Sequence, residues 1–430
     1  YVDAHTGEVV AVRSLNMYVN GTVSFHGVDR YPGRGRLDYP AVRAHVTVDG
    51  APQTTSQTGD VSWASGAVPA GGAPDGDLVT VVNKAAMGQM VQATLSSAPG
   101  GTTVWDASAQ EEDDSQVNSY INVNIAKEWV RENVDAQMPT LDDQITANVN
   151  IAQDCNAFFD GTNVNFFHAS AMCENTGEIQ DVVFHEYGHR VHTAEIIEGV
   201  GSFDGAMSEG AADFLAASIT KDSGMGRGFF FNDEPLRELD PPDMEYQWPR
   251  DIGEIHTTGM IFGGTWWDLR KAFIAQYGET AGVALTEKLW VGALRRSVDI
   301  PSSLVEALAT DDDDGDLSNG TPNECAIRDA FGRHGLRTVS GAVEAPGMLE
   351  TNALSIGVVV NVTGLSNHCG GDTVSGARVD WKPAFGGTPA AGGTVAQAAG
   401  ENRFFAELPL APQNTVLYKV NVNFADGSSF

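Results

Sequence analysis

The residues with the clearest chemical potential are two histidines and a glutamate near the middle of the chain, His185, Glu186 and His189. Residues four apart share one face of a helix, so the two imidazoles can bind one metal ion while Glu186 lies beside it. Glu209, the twentieth residue after His189, can supply a third ligand. Two imidazoles and one carboxylate leave the fourth position of a tetrahedral zinc ion open to water, and coordination lowers the pKa of that water to about 7. The spacing therefore predicts a catalytic zinc site with Glu186 as general base.

Two further carboxylates and one histidine are candidates to support this site. Asp213 follows Glu209 by four residues, so it shares a helix face with it and can accept a hydrogen bond from the free N–H of a ligand histidine. His256 is the candidate that binds the oxyanion of a tetrahedral intermediate, with Asp251 as the carboxylate that orients it. The alternative for His256 is a surface or helix-capping histidine.

The segments around the two histidines also predict where a substrate would bind. Two apolar runs, 145–151 and 157–167, precede the histidines, and Asp160-Gly161 is a turn signal within the second run. An edge strand there, with Asn156 and Ala157, could hold a peptide by main-chain hydrogen bonds. Val182 is predicted to line an apolar pocket beside the metal, whereas His192 is predicted to be a surface residue.

Composition limits the class of protein. The chain has 430 residues, of which 42% are hydrophobic, enough for a large core and two or three domains. No apolar run approaches the roughly 18 residues of a membrane span, and residues 1–7 lack the basic and apolar regions of a signal peptide. The net charge of −32 repels phosphate backbones and argues against nucleic acid as a partner. It suits high solubility, saline surroundings or bound calcium.

An acidic loop at 311–319 is the candidate calcium site. Asp312, Asp314 and Asp316 alternate around a glycine turn and could wrap a hard cation. The loop lacks the bidentate glutamate at the twelfth position of an EF-hand. A calcium site and a solvated acidic loop therefore both remain open.

Four cysteines indicate the redox environment. They form no CxxC pair, and their even number favours two disulfides, Cys155 with Cys173 and Cys325 with Cys369. The alternative is four buried, reduced thiols, because spacing alone does not fix connectivity. Disulfides would indicate a secreted protein.

Changes in pattern along the chain predict an α+β protein with three parts. Residues 1–115 form a β-rich region with a long loop at 67–76, and the acidic stretch 111–114 marks its boundary. Residues 116–338 form the catalytic domain, which is mostly helical around the metal site, and 339–430 form a small β-sandwich. Helices are predicted at 119–134, 178–196, 207–219, 255–276, 280–296, 302–309 and 323–334. Carboxy-terminal strands are predicted at 356–362, 377–381, 404–408 and 416–424.

Several of these segments together resemble the gluzincin metallopeptidases of the fungalysin and thermolysin type, with the surroundings closer to fungalysins and their bacterial relatives. The resemblance is carried by the sequences NAFFDG at 156–161, HEYGH at 185–189, MSEG at 207–210 with Asp213, DIGEIH at 251–256 and NGTP at 319–322. It implies a thermolysin-like catalytic domain, a zinc cofactor and the ligand set given above. Residues 1–9 resemble the last strand of the family's inhibitory propeptide, so the propeptide is an expected partner before maturation. The family's arginine that contacts the substrate carbonyl corresponds to Arg237 or to its rival Arg250.

The sequence thus predicts a secreted, extracellular zinc endopeptidase, monomeric, that hydrolyses protein or peptide substrates and prefers an apolar residue after the cleavage point. The alternative is a zinc-stabilised binding or adhesion protein with little proteolysis. Cleavage of a generic protein substrate distinguishes these two hypotheses.

Overall fold

The computed structural model describes residues 2–9, 18–86, 88–337, 340–343, 356–363, 366, 368–369, 373–384, 391–400, 402–408, 415–425 and 429. Seven α-helices and twenty strands in these ranges make the fold mixed α+β, as the sequence predicts. None of the helices in the described ranges is both long enough and apolar enough to cross a membrane. In the propeptide-like segment Tyr1 lies outside the described residues, and Val2 and Val9 form an isolated antiparallel bridge.

The chain divides into two compact units, and the three ranges predicted from the sequence, 1–115, 116–338 and 339–430, stay a prediction. The first unit comprises Tyr1–Glu132, Ala136–Ala194 and Leu215–Glu238. The second comprises Asn133–Asp135, Glu195–Phe214 and Leu239–Phe430. The chain therefore passes between the units more than once.

The first unit is built on β-sheets. Its strands are β1 (Val19–Val28), β2 (Arg36–Pro40), β3 (Ala44–Val48), β4 (Ala51–Thr54), β5 (Asp60–Trp63), β6 (Val68–Gly76), β7 (Val79–Asn83), β8 (Ala93–Ser97), β9 (Thr102–Asp106), β10 (Ile145–Ile151), β11 (Ala157–Phe159), β12 (Val164–Phe167), β13 (Gly224–Met225) and β14 (Arg237–Glu238). A smaller sheet has the order β2-β1-β5, with β9 also on β1. A larger sheet has the order β11-β12-β10-β7-β6-β3-β4, with β8 on β6, and β13 pairs with β14. The parallel strands β7, β10 and β12 form its buried centre, as is usual for parallel pairing.

The prediction of a loop at 67–76 is wrong, because Val68–Gly76 forms strand β6. Its sequence, VPAGGAPDG, has few of the residues that favour strands, yet it pairs with β3, β7 and β8. The glycines permit close backbone approach, since a Cβ at Gly71 would lie 2.7 Å from Thr94 Oγ1 and one at Gly76 would lie 2.2 Å from Arg43 O. Tertiary pairing therefore overrides the local preference.

Helix α1 (Glu111–Trp129) starts earlier than predicted. The four acidic residues at 111–114, expected to mark a domain boundary, form its first turn, where negative charge is favourable against the helix dipole. Buried polar side chains join α1 to the strands around it, since Asn118 accepts a hydrogen bond from Val28 N–H and Gln116 accepts one from Val91 N–H. A helix with so many buried polar groups shows weak apolar periodicity, so its start is hard to predict.

The other helices are α2 (Gln180–Glu195), α3 (Gly205–Thr220), α4 (Ile255–Tyr277), α5 (Glu279–Arg296), α6 (Ser303–Asp311) and α7 (Glu324–Arg333). Each matches a predicted helix within a few residues. In the second unit α4 packs against α5 and α7, and Trp266 and Trp290 are fully buried among them. The ring of Trp266 lies 5.5 Å from that of Phe331, and the ring of Trp290 lies 5.5 Å from that of Phe214. These aromatic contacts form the core of the helical part.

The carboxy-terminal strands form one curled sheet instead of the predicted sandwich. They are β15 (Ser340–Val343), β16 (Ile356–Thr363), β17 (Val374–Pro383), β18 (Gly392–Gly400), β19 (Arg403–Leu408) and β20 (Val416–Phe424). Their order among the described residues is β15-β16-β19-β18-β17-β20. Strand β18, which the sequence analysis missed, pairs with both β17 and β19 and so joins what would otherwise be two sheets.

Candidate metal centre

Helix α2 carries the two histidines, and an ion pair fixes its start within the first unit. The carboxylate oxygens of Asp181 accept hydrogen bonds from Arg30 Nε and Nη2, both at 3.0 Å. Gly226 N–H donates to the same carboxylate at 2.9 Å. Asp181 and Arg30 are 1% and 7% exposed, so this contact is made away from water. It ties the first turn of α2 to the loop after β1 and to β13.

The spacing of the histidines on α2 gives them a common direction. The rings of His185 and His189 lie 4.7 Å apart and are nearly perpendicular, at 85°. His185 is 4% exposed, His189 is partly buried, and Glu186 beside them is 5% exposed. Two imidazoles this close on successive helical turns can bind one metal ion between them.

Glu209 lies in the first half of α3 and is 9% exposed. His185, His189 and Glu209 each offer a ligand atom, and these three atoms lie within 4.8 Å of one another. Two imidazoles and a carboxylate are a donor set that suits zinc better than calcium or magnesium, which prefer oxygen ligands. The residue types therefore fit the predicted ion.

His256 is the second residue of α4 and contacts two carboxylates of the second unit. Its Nε2 lies 3.3 Å from Glu209 Oε2, and its Nδ1 lies 2.6 Å from Glu254 Oε1. Glu254 is the N-cap of α4 and also accepts hydrogen bonds from the backbone N–H groups of His256 and Thr257. Burial is the largest single influence on the pKa of Glu254 and raises it, but the hydrogen bonds and charge of His256 together with the hydrogen bond from Thr257 N–H outweigh it, so the net shift is downward.

Asp251, predicted to orient His256, has different partners. Its carboxylate accepts hydrogen bonds from Arg250 Nε and Nη2 and from Gln247 N–H. The hydrogen bonds from Arg250 are the main cause that lowers the pKa of Asp251. Glu254 is thus the carboxylate that contacts His256 Nδ1, because a residue at the N-cap lies closer to the first turn of the helix than one three positions earlier. The sequence contained this signal, since an acidic residue directly precedes the helix.

Three glycines that sequence analysis missed hold α3 against α4. A Cβ at Gly210 would lie 2.2 Å from Gly259 O and 2.9 Å from Gly263 N, and a Cβ at Gly259 would lie 2.9 Å from Glu209 Cβ. The backbones of the two helices therefore touch beside Glu209. This approach brings Glu209 within reach of His256. The signal in the sequence is two glycines four residues apart inside α4, since this spacing clears one face of a helix.

The structure also shows where four other predicted residues lie: Asp213, Val182, Arg237 and Arg250. Asp213 lies one turn after Glu209 on α3 and is 1% exposed, and its predicted hydrogen bond to a ligand histidine stays a prediction. Val182 is 3% exposed and offers little surface to a substrate. Arg237 lies on β14 with Nη2 3.5 Å from Met225 Sδ, and its rival Arg250 is engaged with Asp251.

The predicted substrate strand is present as β11, at the edge of the larger sheet among the described residues. It pairs with β12 through Ala157 opposite Phe166, and the turn between the two strands contains Asp160 and Gly161 as predicted. Asn156 is exposed just before the strand, and its carbonyl accepts a hydrogen bond from Thr176 Oγ1 at 3.0 Å. Among the described residues, no strand pairs with the outer edge of β11, and its role in binding a peptide stays a prediction.

The acidic loop after α6 does not gather the three predicted carboxylates. Asp312 and Asp314 group with Asp313, whereas Asp316 accepts hydrogen bonds from Ser318 N–H and Oγ–H. Asp312 and Asp314 likewise each accept a backbone N–H two residues later. These hydrogen bonds shape the turn by themselves, and calcium stays a prediction.

Both predicted disulfides are present, Cys155 with Cys173 and Cys325 with Cys369. The alternative of four reduced thiols is therefore wrong. The first bridge joins the residue before Asn156 to the segment before α2, and the second joins α7 to the carboxy-terminal part of the chain.

No protein-family model and no curated protein matches the chain. Among solved structures, the chain is similar to the precursor of protealysin, a metalloproteinase from Serratia proteamaculans. The TM-score is 0.44 and the identity 14%, over 60% of this chain and 87% of that one. It is also similar to Legionella pneumophila aminopeptidase A in complex with aspartic acid, with a TM-score of 0.33 and 11% identity, over 94% of this chain and 42% of that one. At these values neither likeness establishes a shared activity.

Proposed function

We propose that the protein is a zinc-dependent endopeptidase. The observation that carries the proposal is the pair of imidazoles on one face of α2, His185 buried and His189 partly buried, with the buried carboxylate of Glu186 beside them. Glu209 belongs to the same candidate ligand group. Zinc enzymes that hydrolyse peptides need three such ligands, one open position and an adjacent base.

The roles follow from the chemistry of each side chain. His185, His189 and Glu209 would hold the ion, which supplies Lewis acidity and lowers the pKa of a coordinated water to about 7. Glu186 would accept the proton of the attacking water and deliver it to the leaving amine. His256, held on its Nδ1 side by Glu254, would donate from Nε2 to the developing oxyanion.

The finer parts of the proposal concern relatives, substrate and location. The HExxH helix followed by a glutamate on the next helix supports a gluzincin of the thermolysin and fungalysin type. An extended peptide would pair with the edge of β11 near Asn156 and Ala157, with an apolar residue after the cleavage point and Arg237 as a contact for its carbonyl. The two disulfides support an extracellular location. Asp213 would orient a ligand histidine.

Glu186→Gln tests the proposal, because it removes the base and keeps the shape of the side chain. Cleavage of quenched fluorescent casein is expected to fall by about 10²-fold to 10⁴-fold, while zinc per chain, measured by mass spectrometry, is unchanged. Activity of the unmodified chain is expected to vanish with a zinc chelator and to return when zinc is restored.

The matched control is Glu198→Gln, the same substitution at an exposed carboxylate shortly after α2. It is expected to leave both cleavage and zinc content unchanged. Full cleavage by Glu186→Gln would refute the mechanism. Zinc binding without cleavage by the unmodified chain would favour the binding-protein hypothesis.

A further inference from the structure

A second cluster of metal-ligand side chains lies in the second unit, outside the candidate catalytic site. Asp268 is on the buried face of α4, His334 directly follows α7, and Glu245 is on the loop before α4. One ligand atom from each lies within 4.8 Å of the other two. His334 is 1% exposed and Asp268 6%, whereas the Glu245 side chain is 29% exposed and forms the side towards solvent.

The three atoms that face one another are buried and have no hydrogen-bond partner among the described residues. They are Glu245 Oε2, Asp268 Oδ2 and His334 Nε2. The other ring nitrogen of the histidine, Nδ1, lies 2.8 Å from the carbonyl oxygen of Tyr246 and must donate to it. In the neutral imidazole, Nε2 then carries no proton, and its lone pair is directed at the carboxylates of Asp268 and Glu245. Three acceptors gathered away from water require a cation or a proton between them.

The distances favour a metal ion over a direct ion pair. His334 Nε2 is 3.6 Å from Asp268 Oδ2 and 3.7 Å from Glu245 Oε2. A hydrogen bond from a charged imidazole would be about 2.7–2.9 Å long. Donors that surround zinc tetrahedrally at about 2.1 Å are about 3.4 Å from one another. The observed spacing therefore leaves room for an ion at the centre.

The surroundings hold the ligands in place. A Cβ at Gly264 would lie 2.7 Å from His334 Cε1, so the glycine makes room for the ring against α4. The carbonyl of His334 accepts Trp248 N–H at 2.9 Å, which ties the loop that carries Glu245 to the end of α7. The histidine is thus held through its ring Nδ1 and its backbone carbonyl, and ligand histidines usually donate the N–H of the other ring nitrogen in this way.

Two cationic side chains, Lys271 and Arg333, lie near Asp268, and neither makes a hydrogen bond to Oδ2, the oxygen that faces His334. Lys271 Nζ binds the other oxygen, Oδ1, at 2.8 Å, and also binds Asp240 Oδ1 at 2.6 Å. Arg333 Nη1 is 3.8 Å from Oδ2, but its side chain is 64% exposed and can turn into solvent.

We propose that Glu245, Asp268 and His334 form a second zinc site, with one imidazole and two carboxylates as its ligands. Three protein ligands leave one position for water. The ion would join the loop before α4, helix α4 and the end of α7. Its role would be to fix the loop that ends at Glu254, directly before α4 and His256.

Zinc stoichiometry of the full chain tests this site independently of the catalytic proposal. After chelation and equilibrium dialysis against zinc, the unmodified chain is expected to hold two ions, and His189→Ala is expected to hold one. Asp268→Asn and Glu245→Gln are each expected to hold one, and His189→Ala combined with Asp268→Asn none. If the α2 site bound no zinc, the unmodified chain would hold one ion, and Asp268→Asn would still remove it.

The matched control is Asp240→Asn, a neighbouring carboxylate that shares Lys271 but lies outside the cluster. It is expected to keep both ions. Near-ultraviolet circular dichroism checks that each variant is folded, and Glu245→Gln, at the most exposed ligand, decides the outcome if Asp268→Asn unfolds. A His189→Ala protein that binds no zinc, or Glu245→Gln and Asp268→Asn proteins that both keep two ions, would overturn the proposal.

Discussion

His192 is expected to make the protein lose stability in mild acid. It lies on α2 three residues after His189, and sequence analysis predicted it at the surface. The structure shows that prediction to be wrong, since the side chain is 0% exposed. Burial disfavours the charged imidazolium and lowers the pKa of His192 to about 4.

The size of the effect follows from the difference between the pKa values of the folded and unfolded states. The ordinary histidine value is 6.5, and the folded value is about 4. At about 1.4 kcal/mol per pKa unit, this difference is worth about 3 kcal/mol. Between these two values the unfolded chain binds more protons than the folded one, so stability falls as pH decreases. The contribution of His192 is therefore fully present above about pH 6.5 and is lost progressively down to about pH 4.

The assay is urea unfolding at pH values from 7.5 to 4, with unmodified protein and His192→Leu compared at each pH. Leucine cannot take up a proton, so the difference in unfolding free energy between the two proteins should change by about 3 kcal/mol across the range, in favour of the variant at low pH. Replacement of the exposed His5 by leucine is the control and should leave the pH dependence unchanged. If the unfolding free energies of the unmodified protein and of His192→Leu changed with pH in parallel, the reasoning would be refuted.

Three other predictions test contacts that position the catalytic candidates. Glu254→Gln keeps an N-cap oxygen but loses the negative charge that contacts His256. The kcat/KM for a peptide should therefore fall roughly ten-fold at unchanged zinc content. A variant as active as the unmodified protein would contradict the proposal that Glu254 orients His256. Asp181→Ala leaves the guanidinium of Arg30 buried without its main partner and should lower the unfolding free energy by about 3 kcal/mol, measured by chemical denaturation. Gly259→Ala puts a Cβ 2.8 Å from a backbone nitrogen of α3 and should cost about 1–3 kcal/mol, and an unchanged midpoint in thermal unfolding would show that the helices can separate without cost.

Elements with strong apolar periodicity were predictable, and those that depend on pairing were not. Helices α4 and α5 match the predicted ranges within about three residues, because apolar positions repeat at helical spacing and Gly278, with φ of 82°, ends α4. Strand β6 and strand β18 were missed, because their glycine-rich and alanine-rich sequences favour strands only when neighbouring strands are already present.

The candidate metal centre was predictable to a similar extent. The pair His185 and His189 was predictable because residues on one helix have a fixed relation in space. Which carboxylate contacts His256 was not, since Asp251 and Glu254 are both near it in sequence and the course of the loop before α4 decides between them. The cluster around His334 gave no signal in the sequence, because its three members are separated by 23 and 66 residues.

The sequence by itself determined the helix that presents two imidazoles and a carboxylate, the helices of the second unit and the acidic charge of the whole chain. These properties depend on residues that are close along the chain or on composition alone. Only the tertiary structure decided that His192 is buried, that Glu254 holds His256 and that Gly210 lets α3 touch α4 beside Glu209. Burial and close approach depend on what distant segments place against a residue, and local sequence does not contain that information.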